Sequence, residues 1–137
     1  MKSFIEVTAL RNDAYPPRLS EDGMSLDIYS FCIAETGRNN SVLIPQRDVR
    51  PVRTGHSVKI SPNYHGLFFI GSKEYLLFPT NSLWLSNDDQ ELVVELYNGG
   101  YEAQYVEHGQ LIARLILHPS IQMSLKNERK EDATVNS

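Results

Sequence analysis

The sequence predicts an all-β domain, a jelly roll or barrel of short antiparallel strands. Two observations lead to this fold class. Short apolar runs of strand length alternate with turns rich in Pro, Gly and Asn along most of the chain. No window of about 11 residues or more has a helical period of apolar side chains. With 137 residues, the chain has the size of one domain and can bury a core without metals or disulfides.

In the first half of the chain, turn residues delimit the predicted strands. The segment from Arg11 to Gly23 is predicted to be a loop because it holds two consecutive prolines and an Asp-Gly pair. Thr54-Gly55 is expected to separate two strands, and Ser61-Pro62-Asn63 is expected to end the second of them. The strands predicted on this basis are, in order, 3–9, 26–34, 41–44, 48–52, 56–60 and 66–70.

The second half has the clearest strand pattern. From Glu91 to Tyr97, apolar side chains at every second position predict a half-buried strand. Asn98-Gly99-Gly100 follows at once and predicts a tight hairpin, with residues 101–106 as the returning strand. A turn at His108-Gly109 then leads to a last apolar strand over 110–117.

Composition limits the compartment and the partners. A net charge of −4 and a pI near 5.5 argue against nucleic acid or an anionic membrane as partner. Cys32, the only cysteine, is predicted to be a small buried thiol. No apolar stretch approaches the ~20 residues of a membrane span, and residues 1–10 lack the apolar core of a signal peptide. We therefore expect an intracellular protein, with a β domain over 1–125 and a polar flexible tail over 126–137.

Several stretches carry a family resemblance. Asp27 stands in Ser-Leu-Asp-Ile-Tyr-Ser, and residues 42–66 contain Val-Leu-Ile-Pro, Val-Arg-Thr-Gly, Val-Lys-Ile-Ser-Pro and Tyr-His-Gly. Residues 109–117 have the sequence Gly-Gln-Leu-Ile-Ala-Arg-Leu-Ile-Leu. In this order the pieces resemble the deoxyuridine triphosphatase (dUTPase) family over roughly residues 5–119. The resemblance implies a dUTPase-like jelly roll, also called a β-clip barrel, and a homotrimer whose sites are shared between subunits.

The resemblance also locates the positions where the family keeps its chemistry. Its phosphate-gripping Arg-Ser-Gly corresponds to Gly71-Ser72-Lys73 here, so the arginine is missing. Lys73 offers phosphate a cation but lacks the planar fork of arginine. Asp27 takes the place of the aspartate of the first motif. Counting back from the later strand, the water-activating aspartate falls on Leu85, which cannot accept a proton.

The remaining family positions are also changed. The tyrosine that packs on the sugar and the basic residue after it fall on Asp88 and Asp89. Two carboxylates there would repel each other and a triphosphate. A shifted register would place Asp88 at the base position, but it would break the match at Glu91 and Asn98. The glycine-rich lid of the family has no counterpart after Pro119.

The resemblance therefore leaves relic nucleotide-site positions and no assigned catalytic residue. These relic positions are Asp27, Ser72, Lys73, Asp88 and Asp89. Each also has a purely structural explanation, since Asp27 can accept hydrogen bonds from backbone donors and Asp88-Asp89 can form a solvated turn. The four histidines have no metal-ligand spacing along the sequence, so zinc is not predicted and Asp27 is the one candidate metal ligand.

Three classes of function remain open at this point. The first is a catalytically inactive binding module, similar to the dUTPase-related adenovirus early-region-four first-frame proteins, which act on host signalling proteins. The second is a diverged Mg²⁺-dependent dUTP diphosphatase, and the third is a regulator that binds nucleotide through Ser72 and Lys73 without hydrolysis. We favour the first, which needs no cofactor and has host proteins of the cytoplasm or nucleus as partners. The terminal Ser137 does not suit the apolar pocket of a PDZ domain, so no PDZ partner is predicted.

Overall fold

The computed structural model describes residues 5–71, 76–80, 83–84 and 90–129, with residues 83 and 84 described for their backbone only. Within these ranges the chain forms strands and no helix, which confirms the predicted all-β class. Consequently, no described segment is a helix that could cross a membrane. The strands are β1 (Ile5–Ala9), β2 (Arg18–Leu19), β3 (Leu26–Tyr29), β4 (Val42–Ile44), β5 (Val49–Ile60), β6 (Tyr64–Ile70), β7 (Leu77–Pro79), β8 (Leu83–Trp84), β9 (Glu91–Asn98), β10 (Gln104–Val106) and β11 (Leu111–Pro119).

The strands form two larger sheets and one small ribbon. The first sheet has the order β1-β5-β9-β7, the second has the order β2-β3-β11-β6-β8, and β10 pairs with β4. All the recorded pairings are antiparallel. Apolar side chains from both sheets and the ribbon meet in one core, which accounts for the alternation seen in the sequence. Its buried members are Leu26, Ile28, Ile44, Val52, Val58, Ile60, Phe68, Leu77, Leu92, Val94, Leu96, Val106, Ile112, Ala113 and Leu115.

Strand β5 is continuous, so the predicted separation at Thr54-Gly55 is wrong. Gly55 has a φ of 72° and the register with β9 shifts between Arg53 and Ser57. A β-bulge of this kind absorbs extra residues without ending the pairing. The Thr54 hydroxyl donates to the Leu92 carbonyl at 2.6 Å, which ties the bulge to β9. The turn residues therefore mark an irregularity inside one strand.

The predicted hairpin after β9 is also wrong. Strand β9 pairs with β5 and β7, whereas β10 pairs with β4. The Asn98 backbone N–H donates to Asp48 at 3.0 Å, and the Gly99 N–H donates to Leu76 at 2.8 Å. The turn directs the chain away from β9 because the backbone groups at the end of β9 are bonded to these other segments.

Strand β3 ends at Tyr29, five residues before the predicted end at Ala34. The backbone beyond it is bonded to the bulged part of β5 and to a histidine side chain, and it does not continue the pairing with β11. Phe31 N–H donates to the Arg53 carbonyl at 2.7 Å, and Cys32 N–H donates to His108 Nδ1 at 3.0 Å. Cys32 itself is buried as predicted, and burial raises the pKa of its thiol. Strands β2, β7 and β8 were not predicted, since two or three residues are too few for a periodic signal.

Candidate functional site

Of the five relic positions, one lies among the residues that the structure describes. Asp27 lies in β3, whereas Ser72, Lys73, Asp88 and Asp89 lie outside the described residues, as does Leu85. The assignments for those positions therefore stay predictions from the sequence. Gly71, a described residue that adjoins Ser72, has contacts that limit which side chain can stand at its position.

Asp27 faces a guanidinium group. It lies between Arg18 of β2 and Arg114 of β11 in the strand register, and its Oδ1 is 3.6 Å from Arg114 Nε. The neighbouring Leu26 and Ile28 point into the core, so the carboxylate lies on the opposite, half-exposed face of the sheet. A metal ion bound by Asp27 would compete with this ion pair. The described residues contain no group of three or more His, Cys, Asp or Glu side chains arranged to hold a metal.

Gly71, which the sequence resemblance aligns with the family's arginine, is packed against the backbone of β11. It follows Ile70, which pairs with Ala113. A Cβ atom built on Gly71 would lie 2.6 Å from Ala113 N, 2.9 Å from Ile112 C and 3.0 Å from Ala113 Cα. These are main-chain atoms of a central strand that cannot rotate away, so the position excludes any side chain unless β11 moves.

Two arginines of β5 are already paired with carboxylates. Arg53 donates from Nε and Nη2 to both carboxylate oxygens of Glu91, at 2.9 and 2.8 Å, and Arg50 pairs with Asp48. Burial by itself raises the pKa of Glu91, but the hydrogen bonds from Arg53 and from the Gly55 N–H outweigh it and lower that pKa. The same contact with Glu91 raises the pKa of Arg53. Because both guanidinium groups already bind carboxylates of the same chain, a phosphate group would have to compete with Glu91 and Asp48 for them.

An apolar groove of about 650 Å³ lies between β1, the loop before β3, and β11. Its walls include Val7, Leu19, Met24 and Leu117, and none of the described residues that line it is charged. Three of these four side chains are exposed to solvent. A triphosphate or a hydrated cation would find no compensating charge there, whereas an apolar side chain would be desolvated favourably.

The segment 120–129 is the feature that sequence reasoning missed. Ser120 N–H donates to the Asn63 carbonyl at 2.7 Å, and beyond it the described chain forms neither helix nor strand. Ile121, Met123 and Leu125 are 78%, 95% and 89% exposed. The alternation of these apolar residues with Gln122 and Ser124 was visible in the sequence, but it suggested a continuation of the domain. We call residues 120–129 the C-terminal segment.

Comparisons with known proteins support the fold alone. No family model matches the chain, and no curated protein matches it in sequence. Among solved structures, the dUTPase of Staphylococcus bacteriophage 80alpha superposes with a TM-score of 0.73 at 17% identity, covering 95% of this chain and 99% of that one. The dUTPase of S. aureus phage phi11 gives 0.71 at 15% identity, with the same coverage. The EIAV dUTPase gives 0.67 at 16% identity, covering 94% and 99%.

The fold is therefore that of a dUTPase, as the motif order predicted. What these proteins do is stated of those proteins alone. The phi11 enzyme coordinates a structural Mg²⁺ ion, and the 80alpha enzyme is one of the phage dUTPases that control transfer of virulence genes by a G protein-like mechanism. Identities of 15–17% leave the chemistry of this chain to be argued from its own residues.

Proposed function

We propose that this protein is a non-catalytic dUTPase-like module that acts by binding other proteins. The observation that carries this proposal is the packing of Gly71. The sequence resemblance aligns Gly71 with the arginine that binds phosphate in the family. A Cβ atom on Gly71 would lie 2.6 Å from the backbone nitrogen of Ala113 in β11. A side chain at this position would require β11 to move, so we expect that a single substitution would not restore the arginine.

The sequence supports the same conclusion at the other positions. Leu85 stands where a general base is required, and Asp88 and Asp89 stand where an aromatic face and a cation are required. Asp27, the one described relic position, is paired with Arg114. We further propose that the protein is a viral accessory protein of the adenovirus early-region-four type, that it works inside the host cell, and that it assembles as a homotrimer. These points rest on the sequence resemblance.

The proposed mode of action is contact through apolar surface. The C-terminal segment exposes three large apolar side chains, and the groove beside β1 exposes three more. Apolar side chains that alternate with polar ones present one apolar face when the chain is extended, which is how a peptide adds to the edge of a partner's sheet. The 80alpha protein shows that a dUTPase fold can serve in regulation.

We expect no dUTP hydrolysis by the purified protein. The assay measures pyrophosphate release from dUTP with Mg²⁺ at micromolar protein, against a no-protein control and with folding checked by circular dichroism. Leu85→Asp should also be inactive, because restoring a base supplies neither the arginine nor the lid. Clear turnover specific for dUTP by the unmodified chain would refute the proposal.

A nucleotide titration separates the proposal from a nucleotide-binding regulator. A ligand that binds only the native state at 100 times its dissociation constant would stabilise it by about 2.7 kcal/mol. We expect the melting temperature to be unchanged by a non-hydrolysable dUTP analogue. A saturable increase would contradict the proposal and favour a regulator that binds nucleotide.

We expect Met123→Asp to abolish partner binding while Gln122→Asp preserves it. Both substitutions add one negative charge to adjacent exposed positions, so both should leave the fold intact. Only the first removes an apolar anchor, and burial of a charge at an interface centre is costly. The measurement compares quantitative capture of host-cell proteins by the two variants and the unmodified chain. Equal capture by all three would show that the segment is not the binding surface.

A further inference from the structure

Two histidines that are distant in sequence face each other on the second sheet. His118 of β11 lies directly opposite His65 of β6 in the strand register. Their ring centroids are 5.3 Å apart, with an angle of 43° between the ring planes. This pair could not be predicted from the sequence, because only the antiparallel register brings the two side chains to the same face.

In both imidazole rings, Nδ1 is the nitrogen that makes a hydrogen bond. His118 Nδ1 lies 3.1 Å from the Pro119 carbonyl oxygen, which can only accept, so the neutral ring carries its proton on Nδ1. His65 Nδ1 lies 2.8 Å from Ser120 Oγ, and a hydroxyl oxygen can accept the same kind of bond. Each Nε2 then holds a lone pair, and neither Nε2 makes a hydrogen bond within the described part of the chain.

We propose that His65 and His118 form a binding site for a divalent late transition-metal ion, of which Zn²⁺ is the natural example. Imidazole nitrogen is a preferred ligand of Zn²⁺, Cu²⁺ and Ni²⁺, and metal-binding histidines usually donate their other N–H to a carbonyl oxygen or a comparable acceptor. Waters would complete the coordination, since no third His, Cys, Asp or Glu joins the pair among the described residues. Mg²⁺ requires oxygen ligands and does not suit the site.

The other two histidines show what distinguishes this pair. His108 has both ring nitrogens engaged, with Nδ1 accepting from the Cys32 N–H and Nε2 lying 3.1 Å from the Asp13 carbonyl. His56 is buried, and its Nδ1 lies 3.1 Å from the Thr54 carbonyl. Neither offers an accessible lone pair beside a second imidazole.

The site would join two strands at the base of the C-terminal segment. Ser120, which holds His65 through its hydroxyl, also donates its backbone N–H to Asn63. A metal ion on His65 and His118 would thus fix β6, β11 and the first residue of the segment to one another. This effect does not depend on any nucleotide chemistry.

The test is calorimetric titration of the untagged, chelator-treated protein with ZnCl₂. We expect one ion per chain, no competition from millimolar Mg²⁺, and a Zn²⁺-dependent increase in melting temperature. His65→Gln and His118→Gln should each weaken binding by about 100-fold, since each removes one of two ligands. Ser120→Ala should weaken it by roughly tenfold, because it removes only the group that orients His65.

The control is the melting temperature of each variant without metal. Both histidines lie on the outer face of the sheet, so these values should stay close to that of the unmodified chain. Absence of Zn²⁺ binding by the unmodified protein would overturn the proposal. Binding of equal strength in both histidine variants would overturn it as well.

Discussion

Gly71→Ala is expected to lower the free energy of unfolding by about 3 kcal/mol, the upper range for overpacking a well-packed site. The added methyl group would lie within 3.0 Å of three main-chain atoms of Ile112 and Ala113. These residues belong to β11, which is paired on both sides by β3 and β6. The strand therefore cannot shift without disturbing two pairings. Urea unfolding followed by circular dichroism measures the change.

Gly66→Ala is the matched control. Gly66 is also buried and also lies opposite β11, but the atoms nearest to its built Cβ are the side-chain carbons of Leu115 and Ile60. Side chains can change rotamer, so the expected loss is about 1 kcal/mol. Equal losses at both positions would show that Gly71 is not held against an immovable main chain and would contradict the structural basis of the proposed loss of the phosphate site.

Gly71→Arg extends the argument to function. If the position tolerated a side chain, this substitution would restore the family's phosphate-gripping residue. We expect it to destabilise the protein more than Gly71→Ala, because the longer side chain needs the same opening of β11 and more volume beside it.

The sequence was sufficient for the fold class, because the period-two pattern of residues 91–97 and the frequent turns report local geometry directly. Predictions of strand boundaries from the sequence were wrong where contacts between distant segments determine where a strand ends. The bulge at Gly55 keeps β5 continuous because the Thr54 hydroxyl donates to the Leu92 carbonyl and the Gly55 N–H donates to the Glu91 carboxylate. The early end of β3 depends on bonds from Phe31 and Cys32 to segments far along the chain.

The candidate site was predictable only in part, for the same reason. Motif order predicts that Gly71 takes the position of the family's arginine, whereas the contact with Ala113 that opposes a side chain there is visible only in three dimensions. The pairing of Asp27 with Arg114 and of His65 with His118 likewise follows from strand register. The spacing of residues along the sequence does not predict contacts of this kind.

Asn98→Ala is expected to destabilise the protein by about 4 kcal/mol, as the sum of several unsatisfied buried groups. The Asn98 side chain is 0% exposed. Its Nδ2 donates to the carbonyls of Ile44 and Glu102 at 3.0 and 2.8 Å, and its Oδ1 accepts from the Gly100 N–H at 2.8 Å. These bonds join β9, β4 and the turn before β10. Asn127→Ala, in the exposed C-terminal segment, should change stability by less than about 0.5 kcal/mol.

Asn98→Asp distinguishes lost hydrogen bonds from lost volume, because aspartate has nearly the same shape. Its second oxygen would face two carbonyl oxygens in place of the donating amide, so the folded state should favour the protonated carboxyl and raise its pKa above the ordinary value of about 3.9. A raised folded pKa gives stability that is present at low pH and lost as pH rises through that value. The difference from the unmodified chain should therefore be smallest near pH 4 and grow toward pH 7. Stability equal to that of the unmodified chain from pH 4 to pH 7 would mean that volume, and not the amide donor, sets the requirement for asparagine at this position.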